Sequence, residues 1–272
     1  MGFSEYRASP NERKRTSDLL SLTPMRGRRA LDIGARDGHF SLLLAERFDE
    51  VIALDLRKPA ITHPRVVCVQ GNAAHLGFAD ESIEFVFCAE VLEHIPHTIL
   101  PTVCRELERV CKGELLIGVP YKQDLRVGRT TCHSCGGKNP PWGHVNSFDE
   151  HRLRCLFQHC VVKSTTFVGK TAETTNPLSK VLLDLAGNPY GTYFQEEPCI
   201  HCGRSLIAPP ERTLNQKVLT KLGLIARRAT SRFARSRSNW MHMLFAKQAR
   251  TESIEGISSS FRGGRDRLPT AR

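Results

Sequence analysis

The sequence predicts an α/β fold, an open sheet whose ligand edge lies at the carboxyl ends of its strands. Three observations carry this. Residues 30–33 (ALDI) are a short apolar run that meets a turn bracketed by Gly34 and Gly38. Residues 40–45 then have the apolar density of a helix that packs on a sheet. Residues 51–54 form a second apolar run closed by Asp55. Together these make a βαβ unit, and ligands of open α/β sheets bind outside the carboxyl ends of the strands.

The remaining elements follow in order. Residues 1–27 hold an amphipathic helix around 18–22 that covers one end of the sheet and stops near Pro24 and Gly27. After Asp55 the segment RKPAITHP is a connection. Residues 66–70 are a third strand, with Gly71-Asn72-Ala73-Ala74 at its carboxyl end. Residues 83–88 are a fourth, followed by a helix from Glu90. A helix over 98–112 places Leu100, Val103, Leu107 and Val110 on one face. Residues 115–119 are a fifth strand ended by Pro120. Ser147 with Glu150 three residues on reads as a helix N-cap, and residues 160–168 are a sixth strand. The insertion 169–239 contains an apolar helix (PLSKVLLDLAG) and a basic helical stretch, and residues 240–247 alternate like a strand. Residues 250–272 are polar, rich in Gly, Ser and Arg, and read as a disordered tail.

The glycine turn lets a nucleotide-like ligand approach backbone that carries no Cβ, and Asp55 stands where a carboxylate accepts hydrogen bonds from a ribose diol. A dinucleotide fingerprint needs G-x-G-x-x-G. This chain has Asp32-x-Gly34-x-x-x-Gly38, which argues against a nicotinamide oxidoreductase. The segment resembles motif I of class I S-adenosylmethionine (SAM) methyltransferases, a family that often has glycine where Arg36 stands. The segment E-V-L-E-H-I, residues 90–95, is similar to methyltransferases of the ubiquinone/menaquinone-biosynthesis type (methyltransferase type 11). The resemblance covers roughly residues 28–168. It implies a Rossmann-like seven-stranded sheet, with residues 240–247 as an antiparallel seventh strand beside the sixth. It also implies that Asp32, Gly34, Gly38 and Asp55 form the cofactor motif, that Asn72 and Ala73 meet the adenine, and that Ala89 and Glu90 line the methionine end. The family more often has Asp at the position of Asn72. The domain organisation expected is thus a covering helix (1–27), a SAM-binding core (28–168), an insertion (169–239), a last core strand (240–249) and the tail.

Ten cysteines divide into two groups. Cys68, Cys88, Cys104, Cys111, Cys155 and Cys160 sit singly in apolar patterns and read as small core residues. The pairs Cys132-x-x-Cys135 and Cys199-x-x-Cys202 have knuckle spacing, and each is followed by glycine. Four such thiolates complete a tetrahedral structural Zn²⁺ site with no open position for chemistry. The first pair lies in the loop leaving strand five and the second in the insertion after strand six, so such a site staples two loops over the ligand edge. A redox pair is the alternative, and His133 and His201 are alternative ligands.

SAM carries its own activated methyl group, so the protein supplies alignment and, where the nucleophile loses a proton, a base. His94 and His144 are the candidate bases, each with a structural alternative in helix packing or loop ordering. Glu93 reads as a solvated helix residue. Tyr190, Tyr193 and Phe194 either line an acceptor pocket or pack around the second knuckle. The net charge of +11 is concentrated in residues 211–250, which hold ten Lys or Arg and one acid, Glu211. Lys221, Arg227, Arg228, Arg232 and Arg235 can hold phosphates, or form a solvated face.

The chain has no N-terminal apolar run and no stretch of the roughly 20 apolar residues that a membrane helix needs, which points to a soluble, cytoplasmic protein. The leading reading is a SAM-dependent methyltransferase acting on a small-molecule or glycan-type acceptor, with a phosphate-bearing or lipid-linked one in view. RNA methylation is the second reading, although no aromatic RNP sequence is present. A non-catalytic SAM-fold scaffold for an anionic partner is the third.

Overall fold

A computed structural model describes residues 7–193, 195–209, 211–232 and 234–248. Its centre is a seven-stranded sheet: β1 (Gly27–Ile33), β2 (Phe48–Asp55), β3 (Val66–Gln70), β4 (Ile83–Ala89), β5 (Cys111–Pro120), β6 (Cys160–Val168) and β7 (Trp240–Lys247). The order across the sheet is β3-β2-β1-β4-β5-β7-β6. Strands β1 to β5 are parallel where they pair, and β7 runs antiparallel to both β5 and β6. The expected placement of the last strand is refined: it lies between the fifth and sixth strands, pairing with each.

Alternation along the central strands sorts their side chains onto two faces. Leu31, Ile33, Val86, Cys88, Leu115 and Ile117 share one buried cluster with Leu100, Val103 and Leu107 of α3 (Leu100–Val110). Ala30, Phe85, Phe87 and Leu116 share the other with Phe40 and Leu44 of α2 (His39–Ala45) and with Leu19 of α1 (Pro10–Leu22). Phe85 stacks on Phe48 with ring centroids 5.4 Å apart, and Phe87 meets Phe40 at 4.8 Å. Helix α1 starts where Ser9 accepts a hydrogen bond from the Glu12 amide, with Pro10 at its first position. It is tied to the sheet by Asp18, which accepts from Thr166 of β6 and lies 2.6 Å from Nδ1 of the fully buried His242 of β7.

Three sequence expectations are corrected. No α-helix starts at Glu90, because Glu90 has φ +58° and only a single 3₁₀ turn, Leu92–His94, follows. The Glu93 carbonyl is taken by the amides of Val145 and Asn146, and Pro96 ends the segment. The cap of α4 (Glu150–Leu156) is Asp149, which accepts from the Arg152 amide at 2.8 Å, rather than Ser147. Buried Phe148 bridges to Tyr121, and this holds residues 147–148 extended. Cys155 is exposed and Cys68 half-buried, so only Cys88, Cys104, Cys111 and Cys160 of the six single cysteines are core residues. The tail 250–272 lies outside the described residues. No helix among the described residues is long and apolar enough to cross a membrane.

Two outcomes follow from this packing. Phe85→Ala is expected to cost about 3–5 kcal/mol of unfolding free energy, measured as a lower urea midpoint at unchanged slope. Burial lowers the His242 pKa against the pull of Asp18. For Asp18 the hydrogen bonds from His242 and Thr166 outweigh desolvation and lower it too. Below a pH of about 6.5 the unfolded chain takes up a proton on His242 that the fold resists, and at lower pH it protonates Asp18 first as well. Both effects have one sign for this pair, whereas the raised carboxyls of Asp32, Glu90 and Glu93 act in the other direction, so the pair is read as a difference. In urea titrations the stability of the wild-type chain relative to His242→Leu should fall as pH drops below that value.

Candidate functional site

The turn between β1 and α2 opens the site. The amides of Gly34 and Ala35 both donate to the Leu54 carbonyl, at 2.8 and 3.2 Å, which pins the turn against the end of β2. Gly34 has φ +76°, and a Cβ there would lie 2.4 Å from Val91 Cγ2. Gly38, at φ +80°, opens α2. Arg36 also stands in the left-handed region, at φ +44°, which explains why the related motif often has glycine there. The Arg36 amide donates to Asp55 Oδ2 at 3.0 Å, and its guanidinium pairs with Glu196 at 2.5 Å. Asp55 Oδ1 accepts from the Arg57 amide at 3.4 Å, so this carboxylate sits in a ring of backbone donors at the sheet edge.

Asp32 is buried one layer below, with Oδ2 accepting from Ser41 Oγ at 2.6 Å. Burial pushes its carboxyl up to about 7, against the Ser41 hydrogen bond, and the charges of Asp55 and Asp37 act in the same direction as burial. Its contact is with α2, so it fixes the turn. At the end of β3, exposed Asn72 uses Oδ1 to accept from the Ala74 amide at 2.9 Å, while Ala73 is buried. At the end of β4, Ala89 is half-buried, and the Glu90 carboxylate lies 3.8 Å from Nη1 of Arg15 in α1. Desolvation raises the Glu90 pKa against the charge of Arg15. Arg15 also lies over the rings of Phe40 and Trp240, 5.5 and 5.8 Å from their centroids, so α1 contributes a cation that the sequence reading had not singled out.

Next to this edge the structure brings together Glu93, His94 and His144. One oxygen of Glu93 and one nitrogen of each imidazole lie within 4.8 Å of one another. Glu93 is fully buried rather than solvated, and neither of its oxygens has a hydrogen-bond partner among the described residues. Desolvation pushes its carboxyl well above the usual range, with the Glu90 charge adding to the effect. The two imidazoles meet edge to face at 4.6 Å. Burial lowers His94 to about 4, helped by Arg36, and His144 to about 3, helped by His94, so both rings are neutral near pH 7. His144 Nδ1 lies 2.7 Å from Gln123 Oε1. With that oxygen as acceptor, Nδ1 carries the proton and Nε2 presents a lone pair. Gln123 was missed in the sequence, although its position just past β5 is the signal that could have found it.

The two cysteine pairs converge. Cys132 and Cys135 lie in a two-stranded ribbon, Thr130–Thr131 against Lys138–Asn139, in the connection after β5. Cys199 and Cys202 lie after α5 (Pro177–Leu185), between β6 and β7. The sulfur atoms of Cys132 and Cys202, and of Cys135 and Cys199, are 3.7 Å apart, and all four lie within 4.8 Å. A Zn–S bond of about 2.3 Å sets tetrahedral S···S edges of about 3.8 Å, so the thiols fit that ion. Each knuckle is closed by a glycine amide, Gly136 to the Cys132 carbonyl and Gly203 to the Cys199 carbonyl, both at 2.8 Å. Burial raises the Cys199 thiol, but the His201 and Cys202 amides and neighbouring thiols outweigh it and bring it to about 6.

His201 Nε2 lies 3.1 Å from the Lys138 carbonyl, and the His133 ring lies flat against Tyr193, so neither imidazole belongs to the four-sulfur cage. Tyr193 packs with Cys132, Cys199 and Leu206, accepts from the Thr131 amide and donates to the Gly187 carbonyl, which favours the knuckle over an acceptor pocket. Tyr190 is exposed, and Phe194 lies outside the described residues. The segment before the second knuckle reaches back to the turn: Glu196 pairs with Arg36, and Gln195 Oε1 accepts from the Trp142 amide at 2.7 Å. Of the basic residues singled out, Lys221, Arg227 and Arg228 lie on α6 (Leu214–Ser231), with Arg232 and Arg235 beyond it.

Known proteins agree with this architecture. Residues 31–116 match the family model of the methyltransferase domain. A Mycobacterium tuberculosis protein named as a probable S-adenosylmethionine-dependent methyltransferase is 32% identical over 111 residues, 38% of this chain and 40% of that protein. The biotin biosynthesis bifunctional protein BioHC of Cellvibrio japonicus is 38% identical over 90 residues, 31% of this chain and 18% of that one. The chain thus spans less than half the length of these curated relatives. Among solved structures, the YcgJ protein of Bacillus subtilis superposes with a TM-score of 0.51 at 16% identity, covering 87% of this chain and 98% of that one. The [4+2]-cyclase SpnF superposes at 0.50 with 14% identity, covering 86% and 80%. The β1–β4 edge and its glycine turn fall within the matched domain: over residues 31–116 the chain is similar to SAM-dependent methyltransferases, and its sheet has the fold of solved methyltransferase-like structures.

Proposed function

We propose that the chain binds SAM along the carboxyl edge of β1 to β4 and transfers its methyl group to a small-molecule or glycan-type acceptor beneath a lid made by the connections that leave β5 and β6. The observation that carries this reading is the pair of neutral imidazoles, half-buried His94 and buried His144, beside the cofactor edge, in the same region that Gln195 and Glu196 cover. SAM supplies an electrophilic methyl on a sulfonium. Asp55 takes the ribose hydroxyls, the backbone at Asn72 and Ala73 meets the adenine edge, and Glu90 takes the methionine ammonium. A ligand bound there is shielded from water by the lid, which strengthens each of these polar contacts.

His144 is the group we assign to the acceptor. Its Nε2 accepts a hydrogen bond from an acceptor hydroxyl or amine and aims the nucleophile's lone pair at the methyl carbon. Because burial makes this ring weakly basic, orientation is its larger contribution and proton uptake, as charge leaves the nucleophile, the smaller. The four thiolates hold one structural Zn²⁺ that keeps the lid in place, and they leave no coordination position for the acceptor.

Transfer of a labelled methyl group from SAM into fractionated cell extract tests the reading. Label in a small-molecule or lipid-linked fraction is expected. Label confined to a nuclease-sensitive fraction would instead assign RNA as acceptor, and no label from a chain that also fails to bind SAM would make it a scaffold. With an acceptor in hand, His144→Gln should lower kcat about ten- to hundredfold and leave the KM for SAM nearly unchanged. Metal analysis of freshly purified, reduced protein should find one zinc per chain, absent from Cys135→Ser and Cys202→Ser. A metal-free wild-type chain, with the four thiols still titratable, would contradict the structural site.

A further inference from the structure

Helix α6 packs on α5 through one side and exposes an apolar row on another. Thr220 and Gly223 are its buried contacts, and a Cβ on Gly223 would lie 3.0 Å from Leu183 of α5. The Asn176 amide side chain donates to the Ala226 carbonyl, and Arg227 Nε to the Thr174 carbonyl, which fixes the rotation of α6 in this hairpin. Leu214, Val218, Leu222 and Ile225, spaced i, i+4, i+8 and i+11, then form one stripe, each between 47% and 76% exposed. Leu178, Val181 and Leu185 of α5, spaced i, i+3 and i+7, are 50% to 63% exposed. Seven aliphatic side chains on one hairpin form far more exposed apolar surface than scattered surface residues do.

The charge carried by α6 itself has one sign, although Glu173 lies beside Arg227 and Arg228 at its far end. At 100° per residue, Lys217, Lys221 and Arg228 fall on one flank of the α6 stripe. No Asp or Glu occurs between residues 212 and 248. Asp184, the acid of α5, is turned to Lys180 and Asn188.

We infer that this hairpin docks the chain onto an anionic phospholipid surface, with the aliphatic stripes at the headgroup–acyl boundary and the basic flank on lipid phosphates. An aliphatic stripe with a Lys/Arg flank is the pattern of helices that lie in a membrane interface. Nucleic acid matches the charge but offers nothing to cover rows of Leu, Val and Ile, and the stripe has no aromatic ring on which bases stack. A protein groove can take an aliphatic stripe, but the basic flank beside this one needs phosphates along the whole row, which a lipid surface supplies. A second copy packed antiparallel on this stripe would set equal basic flanks side by side. The hairpin lies in the insertion that returns the chain to the carboxyl edge, so docking there brings that edge towards the membrane. The inference stands apart from the methyl-transfer reading, because docking is measured without SAM.

Flotation of the intact chain with vesicles tests it. The wild-type chain should float with phosphatidylglycerol/phosphatidylcholine vesicles and weakly or not at all with phosphatidylcholine alone. Leu222→Glu combined with Ile225→Glu should lower the bound fraction about tenfold, and Lys217→Glu combined with Lys221→Glu should remove the preference for phosphatidylglycerol. Both sets change exposed side chains, and circular dichroism and thermal unfolding are expected to match wild type. The inference is overturned if the wild-type chain does not float, or if the Leu222/Ile225 variant floats undiminished. It is also overturned if light scattering shows a dimer that this variant dissociates while no vesicle binding occurs, or if only RNA is retained.

Discussion

The position of β7 is the constraint on which the site depends. By lying between β5 and β6 and antiparallel to both, it requires the chain to leave β5 and β6 at the carboxyl edge and to return to that edge before Trp240. The β5–β6 connection thereby starts at that edge before crossing to the other through α4, and the β6–β7 connection both starts and ends there. Four thiols, two from each, then meet there at distances set by one tetrahedral ion, and the connections cannot drift apart without separating those sulfurs. The Arg36–Glu196 pair carries this coupling from the knuckle to the glycine turn of motif I.

Much of this was legible in the sequence. The runs 66–70, 160–168 and 240–247 match β3, β6 and β7, because short apolar segments bounded by Pro, Gly or Asn leave little choice of period. The cysteine pairs could be matched because knuckle spacing is local, whereas their meeting needed only the rule that both connections emerge on one edge. What failed was governed by non-local contacts. Glu90 looked like the start of a helix, yet the structure gives it a left-handed conformation with its amide on the Gly118 carbonyl of a neighbouring strand. A regular helix from Glu90 would leave Glu93 in solvent. Once the helix is replaced by a single turn, the carboxylate points inward beside His94 and His144. Ser147 lost its capping role to Asp149 because Phe148 is drawn into the core.

Burial also sets the chemistry of the edge. Asp32, Glu90 and Glu93 are all raised by desolvation, whereas the two histidines are lowered by it, so the region is closer to neutral than its composition suggests. An ammonium bound beside Glu90 would favour its charged form and draw that carboxyl back down. The likeness to a [4+2]-cyclase is a reminder that the same sheet serves other reactions, so the function rests on residues at the edge rather than on the fold.

The central claim is that the β1–β4 edge, with Asp55 at its centre, is a SAM site. Calorimetric titration of the intact reduced chain with S-adenosylhomocysteine, beside the Asp55→Ala variant, tests it most directly. One equivalent should bind the wild-type chain, and the variant should bind at least about tenfold more weakly, as expected when hydrogen bonds to a charged group are lost. Absence of binding to the wild-type chain, or equal affinity in the variant, would contradict the account.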